Sequence, residues 1–270
     1  MREPASRPRS ARLFPASLAS LLGLAVLATI ALFAGNLRLM GLGDLARTLS
    51  EAAFWRSLGL SMGTSLVTTA LVTVLGVPAA YALSRFRFPG HGTVDLLLSL
   101  PVVLPASTIG LMLLVAFQWE PVLWLQEAIG FRLAYSLPGI VVAQSVIALA
   151  VGVRAWKAAF DDVDRRTEHV ARSLGSSRGR TFLRVTLPAA RGGLAAGALL
   201  AWSRALAEFG AVLIFCSAIR GRTDILPVAM FLDVNAGDLE RAVVIGFSLA
   251  LMSVLILGAM RLLGATRAAR

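Results

Sequence analysis

Gly59-Leu60-Ser61-Met62-Gly63 has the G-x-S-x-G spacing of a nucleophile elbow, the turn from which a serine hydroxyl attacks an acyl carbon. That chemistry needs a base within hydrogen-bond reach. The bases on offer are His91, His169 and the single lysine, Lys157. Gly41-Leu42-Gly43-Asp44-Leu45-Ala46 has the G-x-G-x-x-A spacing of a dinucleotide-binding turn. Arg204 and Glu208 stand four residues apart, the spacing at which opposite charges pair on one helix face. Cys216 is the one cysteine, so an internal disulfide and a multi-cysteine metal site are excluded. Two separated histidines add no metal cluster, and no metal site is expected. No G-K-[ST] occurs, because Lys157 follows Trp156. If ATP is used, another subunit binds it.

The elements that must carry these residues are set by hydropathy. Of 270 residues, 57% are apolar and 15% charged, and the mean hydropathy is +0.77. A soluble domain is about 45–50% apolar and about 25% charged. The composition points to a polytopic membrane protein and excludes a disordered chain. A helix crosses a bilayer with roughly 20 apolar residues. Leu13–Ala34, Ser57–Ser84, Leu96–Phe117 and Leu133–Val153 contain no charge; Gly192–Ile219 contains only Arg204 and Glu208; Ala242–Met260 contains none. Lipid leaves no alternative to helix, so the fold class is all-α with six transmembrane helices. Their expected extents are 13–34, 57–84, 96–117, 133–156, 192–219 and 242–264. Residues 1–12 form an N-terminal tail, 13–264 the membrane domain, and 157–191 a loop within it. The first apolar run is longer than a signal core and no A-x-A site follows, so it is expected to be retained.

Positive charges orient the bundle. With the N-terminus inside, eighteen of the 26 basic residues fall on inner segments, nine of them between the fourth and fifth spans, and seven on outer ones. The net charge of +11 is thereby explained by topology, and a nucleic-acid partner is not needed. Both termini are expected to be cytoplasmic. Trp55, Trp119 and Trp124 fall at outer boundaries and Trp156 at an inner one, as an aromatic belt requires. Trp202 lies inside the fifth span and is expected to pack against another helix.

This topology removes two motifs. Ser61 lies near the outer end of its span, while His91, His169 and Lys157 lie inside. From Ser61 to Ser84 is 23 residues, about 34 Å of helix. An intramembrane serine hydrolase is thus disfavoured. Gly59 and Gly63 then read as G-x-x-x-G, a helix-packing pair. The G-x-G-x-x-A stretch follows a membrane span and not a strand, so it fails the context a dinucleotide site needs.

The inner loop from Asp161 to Pro188 carries most information. Val163, Val170, Ala171 and Leu174 recur at helical spacing as a narrow apolar stripe. Gly175 stands at a C-cap position. Ser176 or Ser177 can cap a second short helix that ends before Pro188. Such a loop either lies on the inner leaflet, held by arginines to anionic lipid, or inserts into a partner's groove.

The same stretch resembles the EAA loop of permease subunits in binding-protein-dependent ABC importers. Gly175, nine intervening residues, then Val185, Leu187 and Pro188 match the second half of that pattern. In the first half His169 stands in the Glu position, Val170 in the first Ala position, Ala171 keeps the second Ala, and Glu168 falls one residue early. Ser203-Arg-Ala-Leu-Ala-Glu-Phe-Gly-Ala211 and Leu100-Pro-Val-Val-Leu-Pro105 are similar to segments of the molybdate, tungstate and sulfate branch, with Ala207 replacing a usual glycine.

The resemblance implies an importer permease for a tetrahedral oxyanion, molybdate or tungstate first, sulfate or another small solute as the alternative. It implies that Glu168, His169, Val170, Ala171, Leu174, Gly175, Val185, Leu187 and Pro188 form the coupling surface for an ATPase subunit dimer. The ATP and magnesium would sit in that partner, with no cofactor in this chain. It also implies an extracytoplasmic solute-binding protein, a permease homodimer, and a multi-pass location in a bacterial or archaeal cytoplasmic membrane. Arg204 and Glu208 are candidates for the translocation path or for a structural pair. Pro101 and Pro105, which would kink or break the third span, are candidates for the path as well. A secondary transporter would show internal symmetry, and none is evident.

Overall fold

The computed structural model describes residues 10–38, 40–128 and 130–268; of the expected inner charges, Arg2, Arg7, Arg9 and Arg270 lie outside the described residues. Thirteen α-helices make up the described fold, with no strand among the described residues. They are α1 Ser10–Leu37, α2 Leu42–Ser50, α3 Ala52–Arg85, α4 His91–Val103, α5 Ala106–Ala116, α6 Glu120–Ala128 and α7 Leu137–Asp161. The rest are α8 Arg165–Ser173, α9 Arg178–Thr181, α10 Leu187–Leu206, α11 Gly210–Cys216, α12 Leu226–Asn235 and α13 Leu239–Ala268.

Three stretches, Ala52–Arg85, Leu137–Asp161 and Leu239–Ala259, are long and apolar enough to cross a membrane. Two further helix pairs pass the same test together but are bent, each a broken span or a re-entrant loop. The third expected span is α4 plus α5, turned by 114° at Leu104-Pro105. The fifth is α10 plus α11, turned by 53° between Leu206 and Gly210. Pro105 stands at the break, where its missing N–H leaves no helix bond to make, whereas Pro101 stays inside α4. The helix carrying the first expected span, α1, keeps nearly all its described side chains exposed and meets the body through Phe33 against Phe247.

The centre of the bundle is α3, α7 and α10 around Trp156, which is fully buried and donates its Nε1–H to Leu194 O at 3.0 Å. Gly76, Gly152 and Gly197 make the slot for its ring. A Cβ on Gly152 would lie 2.7 Å from the ring and one on Gly197 2.6 Å. Trp156 is therefore a core residue and not the interfacial belt residue its position suggested. Trp202 packs as expected, donating Nε1–H to Ser65 Oγ at 3.0 Å. Trp55, Trp119 and Trp124 are exposed, in keeping with a boundary position. Gly59 and Gly63 face outward with open space about them, so they pack against nothing among the described residues.

A polar row on one face of α3 ties the bundle together. Thr68 Oγ1 donates to Gln144 Oε1 at 2.9 Å, and Gln144 Nε2 donates to Thr64 Oγ1 at 3.4 Å. Ser61 Oγ accepts the Leu226 N–H at 2.7 Å. Between helices in lipid such bonds act as glue, because apolar contact alone gives little preference. Toward the other end α12 is buried along Leu226, Pro227, Val228, Ala229 and Asp233. Arg241 holds it, reaching Glu51 at 2.9 Å and Asp233 at 3.2 Å, while Arg220 meets Asp233 at 2.8 Å.

Candidate coupling surface and membrane breaks

The loop between α7 and α10 folds locally. Asp164 caps α8, its Oδ1 accepting the Arg166 N–H at 2.9 Å. At the other end Gly175 has φ +87, with Gly175 N–H on Arg172 O and Ser176 N–H on Ala171 O. That double bond is a Schellman motif, and it needs the left-handed conformation glycine adopts freely. Ser177 is the serine that caps α9, its Oγ accepting the Arg180 N–H at 3.4 Å.

The second short helix does not end before Pro188. It passes through a π turn, Phe182–Thr186, directly into α10, with Pro188 in the first turn of α10. The wider i→i+5 bonding carries the chain past a residue that cannot donate. The loop and the fifth span are thus one continuous helical path from Arg178 to Leu206.

The expected coupling residues divide between two faces. Val170 is 59% exposed and Leu174 84%. His169, Gly175 and Pro188 are exposed as well. Ala171, Val185 and Leu187 are half-buried, with Leu187 packed on the Trp156 core. Glu168 turns inward: it is buried, and its Oε1 accepts from Arg85 Nε at 2.8 Å. Arg85 also donates to Val163 O at 2.9 Å and Ser84 Oγ at 3.1 Å, and Arg165 donates to Ser84 O at 2.7 Å. Charge counting used Arg85 only as a topology marker. Its three-way grip fastens α8 to the C-terminal end of α3, and only a basic residue at the end of a span hinted at it.

The two membrane breaks meet. A Cβ on Gly110 of α5 would sit 2.7 Å from Ala211 O, and one on Gly210 would sit 3.0 Å from Ser107 N. So α5 and α11 begin side by side. Arg204 Nη2 lies 2.8 Å from Glu208 Oε2, an ion pair whose acid is fully buried. The expected pairing occurs, but not along one unbroken helix. Glu208 lies in the break after Leu206, and its Oε1 accepts the Ala211 N–H at 2.9 Å. One carboxylate thus neutralises Arg204 and closes the first turn of α11.

Ser61 has no base. Its hydroxyl is buried and holds Leu226, and His91 contacts Leu83 O near the far end of α3. Among the described residues no group of three or more metal-ligating side chains converges.

A profile of the family described as "binding-protein-dependent transport system inner membrane component" matches residues 73–267. That range holds the Asp161–Pro188 loop, both breaks and Arg85. This chain belongs to that family. Among its relatives, the molybdenum transport system permease protein ModB of Escherichia coli strain K12 is 35% identical over 208 residues, 75% of this chain and 91% of that protein. The molybdate/tungstate transport system permease protein WtpB of Pyrococcus furiosus is 39% identical over 170 residues, 63% of this chain and 64% of that protein. A probable sulfate transport system permease protein of Chlorokybus atmophyticus is 32% identical over 201 residues, 73% of this permease and 70% of that protein. The permease fold is also that of a bacterial alginate ABC transporter, with TM-score 0.74 at 15% identity, covering 95% of this chain and 98% of the other.

Proposed function

We propose that this permease moves a tetrahedral oxyanion, tungstate or molybdate, from the exterior to the cytoplasm by alternating access. A pair of partner ATPase subunits holds the ATP and magnesium, and this chain carries no cofactor. Two copies of the chain form the pathway, one facing each ATPase, embedded in the lipid of the cytoplasmic membrane with both termini inside. An extracytoplasmic binding protein delivers the anion.

The observation that carries this reading is the outward face of α8. Val170 and Leu174 are large apolar side chains held in water on a short capped helix, an arrangement that suits insertion into a partner's groove. Arg85 stops that helix from rocking freely against α3. The helical path from α9 through the π turn into α10 offers a lever from this surface to the Arg204–Glu208 break. ModB and WtpB, by their names, support molybdate and tungstate as cargo; the sulfate relative keeps sulfate as the alternative.

The test is co-reconstitution of the chain with its cognate ATPase and binding protein in proteoliposomes. ATP-dependent uptake of tungstate and molybdate, with sulfate far weaker, is expected. Uptake of sulfate alone would select the alternative, and uptake of none of the three would overturn the oxyanion assignment.

A further inference from the structure

A cavity of about 200 Å³ lies behind α8, between the inner end of α3 and α9. Arg85, Arg165, Arg172 and Arg178 line it, against one carboxylate, Glu168. Glu168 is already paired with Arg85, and Arg165 is already bonded to Ser84 O. Arg172 and Arg178 have no acidic partner within 4.0 Å among the described residues. The cavity is therefore strongly positive and has two guanidinium groups uncommitted.

A separate observation points to the same ligand chemistry. Thr181 lines this cavity, is 2% exposed, and its Oγ1 has no hydrogen-bond partner among the described residues. A buried hydroxyl is seldom left unpaired. An apolar guest would leave it so, and a cation would be repelled by the arginines. An oxygen-rich anion answers both, since guanidinium forks match the edges of tetrahedral oxyanions.

We propose that this cavity binds one phosphate-type tetrahedral oxyanion group, held by Arg172, Arg178 and the Thr181 hydroxyl. Arg172 sits on α8 and the other two residues on α9. The ligand bridges the two helices across Gly175 and fixes the angle of the coupling helix to the path into α10. The group has two possible sources. One is a free dianion, inorganic phosphate or an oxyanion of the cargo type. The other is the phosphate of an anionic lipid, because positive charges assign this end of α3 to the inner leaflet. The proposal concerns a pocket of the permease alone and does not need the transport reading.

The experiment is thermal unfolding of the purified full chain, with no ATPase present. In neutral detergent, inorganic phosphate or tungstate is titrated at constant ionic strength set by chloride. In a parallel arm the chain sits in nanodiscs of phosphatidylcholine with or without phosphatidylglycerol. A specific ligand raises Tm in proportion to the logarithm of its concentration. Arg172→Gln and Arg178→Gln should each weaken the response about tenfold or more, and the near-isosteric Thr181→Val should weaken it while leaving the unliganded Tm close to wild type. A variant-sensitive rise with the free anions identifies a soluble ligand. A variant-sensitive rise confined to phosphatidylglycerol identifies a headgroup. Either supports the site. No rise in either arm, or a rise identical in wild type and both arginine variants, overturns it.

Discussion

Gly175 has φ +87 and open space around it, so any side chain there is opposed by the backbone and not by neighbours. Gly175→Ala should cost about 1–3 kcal/mol locally, within the strain of a non-glycine residue held at positive φ. Gly175→Asp adds a negative charge at a helix C-terminus, where the dipole disfavours it. Membrane abundance should stay normal while uptake is lost, read by immunoblot beside tungstate uptake. Glu208 separates its two tasks cleanly. Glu208→Gln keeps an oxygen for the Ala211 N–H and loses only the ion pair; Glu208→Leu loses both. The leucine variant should therefore express and melt worse than the glutamine variant. Arg204→Leu with Glu208→Gln should restore abundance, and absence of uptake in that pair would assign the charges to the path. Equal behaviour of Gln and Leu at 208 would remove the capping role. At the core, Trp156→Ala empties a slot framed by three glycines, a loss on the order of 3–5 kcal/mol for a large aromatic. A Tm within a degree of wild type in detergent would contradict that placement.

Among the elements, those set by local rules were legible from the residues. Asp164, Gly175 and Ser177 cap α8 and α9 through bonds within a few positions of themselves, so spacing marked the end of α8 at Gly175 and the start of α9 at the serine pair, though not the Asp164 cap or the run on into α10. The break at Pro105 was flagged by its ring. The break at Ala207–Phe209 was not, because a run of apolar residues looks alike whether or not its backbone bonds continue. That turn depends on Glu208 reaching Ala211 and on Gly110 and Gly210 letting α5 and α11 touch, the latter a contact between residues about a hundred apart. The same blindness hid α12, whose first N–H is held by Ser61 from α3. Ser61→Ala leaves that buried N–H unpaired and should cost about 1–3 kcal/mol. Unchanged stability of purified Ser61→Ala would mean the bond holds nothing. The inward turn of Glu168 was likewise invisible, since its partner Arg85 lies 83 positions away.

For the whole molecule, hydropathy and charge carried the class and the helical fold, because lipid allows few alternatives. The expected orientation of the bundle across the membrane rests on the bias of positive charges. Single cysteines at Arg87 and Ser177, in a Cys216→Ala background, should be shielded from an impermeant thiol reagent in intact cells, and one at Gly237 should label. Labelling at Ser177 from outside would invert the topology and detach the coupling surface from the cytoplasm. What joins the scales is the claim that α8 is where ATP-driven motion enters the permease. Its most direct measurement is ATPase copurification with Leu174→Asp, a charge placed on the highly exposed apolar side chain at the C-cap of α8. The spans lie elsewhere and should insert normally. The predicted result is wild-type membrane abundance of the chain with the ATPase largely lost from the purified complex and uptake abolished. Wild-type copurification and uptake in Leu174→Asp would show that the ATPase engages some other surface.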